Sequence, residues 1–189
     1  EAFDGAAYGA HLMDRMAAAM GEEGDYIISV GSLTAASHMS WANGALARQI
    51  EAYPNMHCIN ADAFIESNYN QKASQEKAAE LMKTYPDLKG MFATSATDLP
   101  GYALAVEEAG KQDEIVVAGN GVPNANKDYL ASGALDVLGT WDPADTGMVM
   151  CKVAEMVKAG VEFTDGMDLG VQGYNAVKID GNMLIGQAW

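Results

Sequence analysis

The feature that most restricts this chain is a repeated change of hydrophobic rhythm: short apolar runs alternate with longer amphipathic ones. Gly5–Met20, rich in Ala and Met, puts Tyr8, Leu12, Met16 and Ala19 on one face and predicts a helix. Gly21-Glu-Glu-Gly24 ends it, and Tyr26-Ile-Ile-Ser-Val30 predicts a buried strand. A polar loop, Gly31–His38, leads to a helix that stops near Tyr53, ahead of Pro54. The alternation continues with a strand at Met56–Ile59, a helix over Asn68–Thr84, a strand at Leu88–Thr94 and a helix over Leu99–Ala109 capped by Gly110. Then come a strand at Ile115–Ala118, a short helix at about Ala125–Ser132, a strand at Leu135–Gly139 and a helix over Pro143–Ala159. A hairpin closes the chain, with arms Tyr174–Ile179 and Met183–Ile185 around the turn Asp180-Gly-Asn182.

Short strands separated by helices need crossover connections, and these build a parallel sheet. Right-handed crossovers place helices on both faces. The expected fold is therefore α/β: a doubly wound parallel sheet in three αβα layers. With 189 residues the chain suffices for one large domain or one and a half small ones. It contains no fixed-period repeat, low-complexity tract or Ser/Pro-rich linker.

Charge removes several classes of function. Twenty-six acidic residues against 11 basic ones give a formal charge of −15, which repels phosphate backbones and anionic lipid surfaces. No apolar run reaches the roughly 18 residues a membrane-spanning helix needs. Cys58 and Cys151 lie far apart without metal spacing; two buried free thiols are expected, with a single disulfide left open. The three histidines, His11, His38 and His57, have no i,i+4 partner of metal-ligand type. No phosphate loop, no GxGxxG after the first strand and no GxSxG elbow occurs. The expectation is a non-enzyme with no metal and no cofactor. The chain opens Glu-Ala-Phe-Asp, without a methionine or a basic-then-apolar leader, so a removed leader and a start inside a longer protein are both open.

In an open parallel sheet, ligands bind beyond the carboxyl ends of the strands. Here those ends read Gly31-Ser-Leu-Thr34, Thr94-Ser-Ala-Thr-Asp98, Gly119-Asn-Gly121 and Thr140-Trp-Asp142. They are small, hydroxylic or amide-bearing, with two carboxylates, one indole and no cation. Such a rim suits a neutral polyol, whose hydroxyls need acceptors and donors and whose C–H faces need an aromatic surface. A phosphate would want a glycine-rich nest with Lys or Arg. Several positions have a plainer role beside this one. Asp142 before Pro143 is a strong helix start, Asp98 could cap the helix at Leu99, and Asn120 between two glycines could be a left-handed turn residue. Trp141 is either a core plug or a stacking surface. His57 lies within a strand as a packed or edge residue, whereas His38 occupies a loop at the binding end.

Taken as a set, Met91–Gly110, Ile115-Val-Val-Ala-Gly119, Gly133-Ala-Leu…Gly-Thr-Trp-Asp-Pro…Gly147 and Val171-Gln-Gly-Tyr-Asn175 resemble the type I periplasmic sugar-binding proteins. The subgroup most similar is that of the rhamnose and autoinducer-2 receptors. The resemblance implies a two-lobed, soluble, solute-binding component of an ABC importer. It closes on a monosaccharide-like ligand, rhamnose or a related sugar or a furanosyl autoinducer, and hands it to a permease. The implied location is the periplasm, following a signal peptide, or a lipid-anchored extracytoplasmic site in a Gram-positive. The alternative is the effector-binding domain of a sugar-responsive, lac-repressor-like regulator, for which a helix-turn-helix would have to lie upstream.

The resemblance assigns residues 1–140 to the C-terminal lobe, 141–168 to a crossover helix that packs on the N-terminal lobe, and 169–189 to a return segment. Most of the first lobe lies outside this sequence. Asp142 resembles the ligand-binding carboxylate beside Trp141 at the hinge, and Ser95 and Ala96 resemble the loop lining the pocket. The ligand-binding set expected is Asp142, Trp141, Ser95, Ala96, Asp98, Asn120, Ser37 and His38. Ser37 and His38 fall where autoinducer-2 receptors carry an acidic and an amide residue, which points to another sugar. Without a first lobe, Met148, Val149 and Val153 would lack cover, so self-association or a swapped dimer is expected.

Overall fold

The computed structural model describes residues 2–187, in two compact units: residues 5–140, and residues 2–4 with 141–187. Glu1 and the last two residues of the expected return segment lie outside the described residues.

In the larger unit the alternation becomes one parallel sheet. Its strands are β1 (Glu23–Val30), β2 (Asn55–Cys58), β3 (Ile65–Glu66), β4 (Leu88–Ala93), β5 (Val116–Asn120) and β6 (Val137–Gly139). The order is β2-β1-β4-β5-β6, with β3 also paired to β1. Tyr26 stands opposite Cys58 on one side and Gly90 on the other. The short β3 was not anticipated. It continues the edge that β2 begins, pairing Ser29 and Val30 after β2 has paired Glu23–Tyr26. Between the two, the Asn60 side chain stands in for a strand: its Oδ1 accepts from the Ile28 N–H at 2.9 Å and its Nδ2 donates to the Ile28 carbonyl at 2.8 Å. An Asn amide carries the same donor and acceptor as a peptide unit, so no ladder bond is lost at the break.

Helices α1 (Gly5–Met20) and α2 (Ala36–Ala52) pack on one side of the sheet. They approach closely because Gly9 has no side chain; a Cβ there would sit 1.9 Å from the Trp41 carbonyl oxygen. Helices α3 (Gln71–Thr84), α4 (Asp98–Ala109) and α5 (Pro123–Ser132) form the other layer. There Leu81, Leu99, Tyr102 and Val106 bury against Ile27, Met91 and Val117 of the strands, the apolar stripe meeting the inward pleat. The doubly wound α/β architecture expected from the sequence is the one observed.

Helix α3 starts three residues later than the apolar spacing suggests. Asn68 and Tyr69 hold left-handed φ values of 54° and 57°, and the Asn70 side chain caps the helix by accepting from the Ala73 N–H. Helix α2 starts earlier, at Ala36, so His38 lies in its first turn rather than in a loop.

The smaller unit is built on α6 (Pro143–Lys158) and the antiparallel pair β7 (Lys178–Asp180) and β8 (Met183–Ile185). Its core is Val149, Leu169, Tyr174 and Val177, with Val153 and Met156 packed against them. The expectation that Val149 and Val153 lack cover is therefore corrected: the segment after α6 folds back over them, and of the three only Met148 stays exposed. The hairpin is shorter than expected, because Val177 pairs with Met167 before β7 begins. Both cysteines are free; Cys58 is buried as expected, but Cys151 is exposed.

Candidate functional site

The candidate site lies at the carboxyl edge of the parallel sheet, where the chain leaves β1, β4, β5 and β6. The chain leaves β1 for α2 on one face and β4 for α4 on the other, so β1 and β4 flank the point where the winding reverses. At such a point the loops diverge and open a crevice.

The β4–α4 turn carries Ser95, Ala96 and Asp98. Ser95 is 1% exposed, and its hydroxyl accepts from the Thr97 N–H and shares a hydrogen bond with Thr97 Oγ1 at 2.7 Å. Ala96 is half-buried. Asp98 neither caps the helix by its side chain nor faces solvent. It is completely buried, its Oδ2 accepting from Ser29 Oγ at 3.1 Å and its Oδ1 from Ser74 Oγ at 3.3 Å and Thr97 Oγ1 at 3.4 Å. Three hydroxyls from three elements thus surround one carboxylate and lock the turn to β1 and α3. Asp98, expected among the ligand contacts, is spent on these hydroxyls in this structure. The sequence offered no sign of this, because the donors Ser29 and Ser74 are remote from it.

At the end of β5, Asn120 is part-buried, and its Oδ1 accepts from the Tyr8 hydroxyl at 2.9 Å. It belongs to a strand, not to a left-handed turn. Burial pushes the Tyr8 hydroxyl well above the usual phenol range, so it stays a neutral donor.

The aromatic surface gathers around the start of α2. Ser37 is exposed in the first turn of α2. His38 is half-buried, stacked on Trp41 with ring centroids 5.5 Å apart and edge-on to Tyr69 at 5.6 Å. Trp41 in turn meets Tyr8 edge-to-face at 5.3 Å. The packing depends on Gly31, where a Cβ would lie 2.3 Å from the Tyr69 ring. The Gly31 N–H donates to His38 Nδ1 at 3.0 Å. Desolvation holds the His38 imidazole below the usual histidine range, against the opposing charge of Asp98. At neutral pH the ring is therefore uncharged, with Nδ1 as acceptor and the proton on Nε2. Trp41 and Tyr69 escaped sequence reading, and Tyr8 was read only as part of the apolar face of its helix, because each lies on a different element. The one local signal was Gly31 immediately after a strand.

The larger unit thus brings Ser95, Ala96, Asp98, Asn120, Ser37 and His38 to one edge of its sheet. The turns leaving β1, β4, β5 and β6 carry no Lys or Arg. Trp141 and Asp142 belong to the smaller unit. Trp141 packs edge-on to Phe3 at 5.7 Å, and Asp142 is exposed and caps α6, its Oδ1 accepting from the Ala144 N–H at 2.8 Å. Among the described residues no group of three or more His, Cys, Asp or Glu could hold a metal ion, and no helix is long and apolar enough to cross a membrane.

A doubly wound parallel sheet defines the α/β class of the larger unit, and similarity to known proteins specifies the family. The chain matches the periplasmic binding protein domain over residues 1–181 and belongs to that family. It is 27% identical over 150 residues to the D-allose-binding periplasmic protein of Escherichia coli K12, covering 79% of this chain and 46% of that protein. It is 25% identical over 133 residues to the D-apiose import binding protein of Actinobacillus succinogenes, covering 69% and 42%. In fold it is similar to LsrB from Clostridium saccharobutylicum, solved in complex with AI-2, with a TM-score of 0.79 at 20% identity over 95% of this chain and 58% of that one. The chain spans about half the length of these relatives.

Proposed function

We propose that the chain is the C-terminal lobe of a sugar receptor serving an ABC importer, with the carboxyl edge of its sheet as its half of a binding cleft. The observation that carries this reading is the composition of that edge: hydroxyls at Ser37 and Ser95, an amide at Asn120, a neutral imidazole at His38 flanked by Trp41 and Tyr69, and no cation in the turns. Neutral donors and acceptors match vicinal sugar hydroxyls, and ring faces match the C–H surface. The ligand is an uncharged monosaccharide or furanosyl compound, and the chain does no chemistry on it. Rhamnose and AI-2 stand beside allose and apiose as candidates. The curated relatives named above are binding proteins rather than regulators, which favours the receptor over an effector domain.

On this reading residues 141–168 form the crossover to an N-terminal lobe and 169–189 the return. Trp141 and Asp142 keep the ligand roles that the sequence resemblance implies. The protein works outside the cytoplasm, in the periplasm or lipid-anchored, and delivers ligand to a permease. Closure of two lobes supplies the affinity, so the chain by itself binds sugar weakly. Met148, Met150 and Val157, exposed on α6, leave room for self-association. A thermal-shift screen of pentoses, hexoses, deoxyhexoses and furanosyl signals tests the proposal on the longest natural form of the protein. Stabilisation by at least one uncharged sugar is expected; stabilisation only by phosphorylated or anionic compounds contradicts it.

A further inference from the structure

His38 occupies a position that tolerates only one protonation state. A backbone N–H is always a donor, so the nitrogen that accepts from Gly31 at 3.0 Å carries no proton. A doubly protonated imidazole has a donor at each nitrogen and would place N–H against N–H at that point. The Gly31 turn is packed against Tyr69 and tied to β3. Tyr69 lies over Gly31, within 2.3 Å of where its Cβ would be, and is itself held in a left-handed conformation. The turn is tied on its other side by Glu66 at the end of β3, which accepts from Ser32 Oγ at 2.9 Å and the Leu33 N–H at 2.8 Å.

The titratable groups around the ring are few. Asp98 in α4 acts on it through charge, Tyr69 abuts it, Glu66 holds the neighbouring turn, and α2 carries no charged residue before Arg48. Trp41 on the stacked side is uncharged, and Tyr8 beyond it is a neutral phenol.

We propose that His38 is a positioning residue of the ligand rim: in its neutral Nε2–H form it holds the β1–α2 turn and Tyr69 in place, and its protonation expels the Gly31 amide and disassembles that part of the rim. The ligand consequence rests on the receptor reading above; the coupling of ring to turn does not. Acidification of the protein's surroundings then weakens sugar binding through the His38 turn.

The test is an NMR titration of the ¹⁵N-labelled chain from about pH 8 to about pH 4, read at the His38 ring nitrogens and the Gly31 and Tyr69 amides. The expected result is an unprotonated Nδ1 at neutral pH and a ring midpoint below the ordinary histidine value of about 6.5, with both amides shifting at that same midpoint. In His38→Gln the amide oxygen can accept from Gly31 without titrating, so the Gly31 transition should vanish while its neutral-pH position is kept. An Nδ1–H tautomer at neutral pH, or a ring that titrates while Gly31 stays unmoved, overturns the proposal. A second arm follows D-allose by the same spectra. Wild-type affinity should fall by up to about tenfold per pH unit below the midpoint, and His38→Gln should show no such fall. Equal pH dependence in both proteins overturns the proposal and leaves the receptor reading intact. If the Gly31 transition appears but neither D-allose nor any other uncharged sugar of the thermal-shift screen binds at any pH, the receptor reading fails and the positioning of the turn by His38 stands.

Discussion

The Tyr8 hydroxyl in α1 donates to Asn120 Oδ1 at the end of β5, 2.9 Å away and 112 residues along the chain. This bond fixes the amide from beneath, so that the rim face of Asn120 is set by a helix on the other side of the strand. Tyr8→Phe removes only the hydroxyl. It should lower unfolding free energy by about 1 kcal/mol, with unchanged denaturant slope, because one part-buried hydrogen bond is lost and the side-chain shape retained. Urea unfolding followed by circular dichroism measures it; no change in midpoint would show the bond to be dispensable.

Asp98 predicts a larger effect. Asp98→Ala leaves the Ser29 hydroxyl in the interior without its carboxylate acceptor, leaves Ser74 Oγ only the Asn70 carbonyl, and opens a cavity, and should destabilise by about 2–4 kcal/mol. Asp98→Asn keeps the volume and one acceptor and should lose less than the alanine variant. Equal losses in the two variants, measured by urea unfolding, would mean that volume rather than hydrogen bonding matters there.

Much of the fold was legible in the sequence, because the change between strand and helix periodicity depends on local residues. The strands, the helices and the parallel winding follow from it, and errors fell at boundaries where side chains intervene. Asn70 caps α3 and delays its start, and Asn60 fills a gap between β2 and β3 that periodicity cannot register. The rim was legible in part. Ser95, Ala96, Asn120 and His38 stand at strand ends or helix starts and could be placed from topology alone. The burial of Asp98 under three hydroxyls, and the packing of His38 on Trp41 and against the edge-on Tyr69, are tertiary facts that local sequence does not carry.

Asp142 caps α6, and a cap can be separated from a charge. Asn caps a helix as well as Asp does, so Asp142→Asn should leave thermal stability nearly unchanged, while Asp142→Ala should cost about 1 kcal/mol. If Asp142 also accepts from ligand hydroxyls, as the resemblance implies, both variants should weaken sugar binding in the complete receptor. Calorimetric titration with the sugar found by screening checks this; full affinity in Asp142→Asn would leave Asp142 a helix cap alone.

Acid sensitivity should trace in part to Asp14. Burial works to raise its carboxyl, but hydrogen bonds from Arg48 Nε and the Tyr53 hydroxyl, both 2.7 Å, together with the Arg48 charge, bring it below the usual value. The folded value lies below the unfolded one. Its stabilisation is therefore complete above the unfolded carboxyl value of about 3.9 and is lost as pH falls through the folded value. The stability difference between wild type and Asp14→Asn should be constant near neutrality and shrink on acidification below about pH 4, as read by urea midpoints at several pH values. A difference independent of pH would remove the ion pair from the account.

The most direct test of the central claim is to map where an uncharged sugar touches this chain. In ¹H–¹⁵N spectra titrated with D-allose to tens of millimolar, the account predicts fast-exchange shifts, with a Kd of roughly millimolar, as expected for half a cleft. The shifts should concentrate at Ser37, His38, Ser95–Thr97 and the Asn120 side-chain amide. Shifts confined to the amino ends of the strands, around Glu23, Asp113 and Glu114, or no shift at any residue of the carboxyl edge, would contradict it.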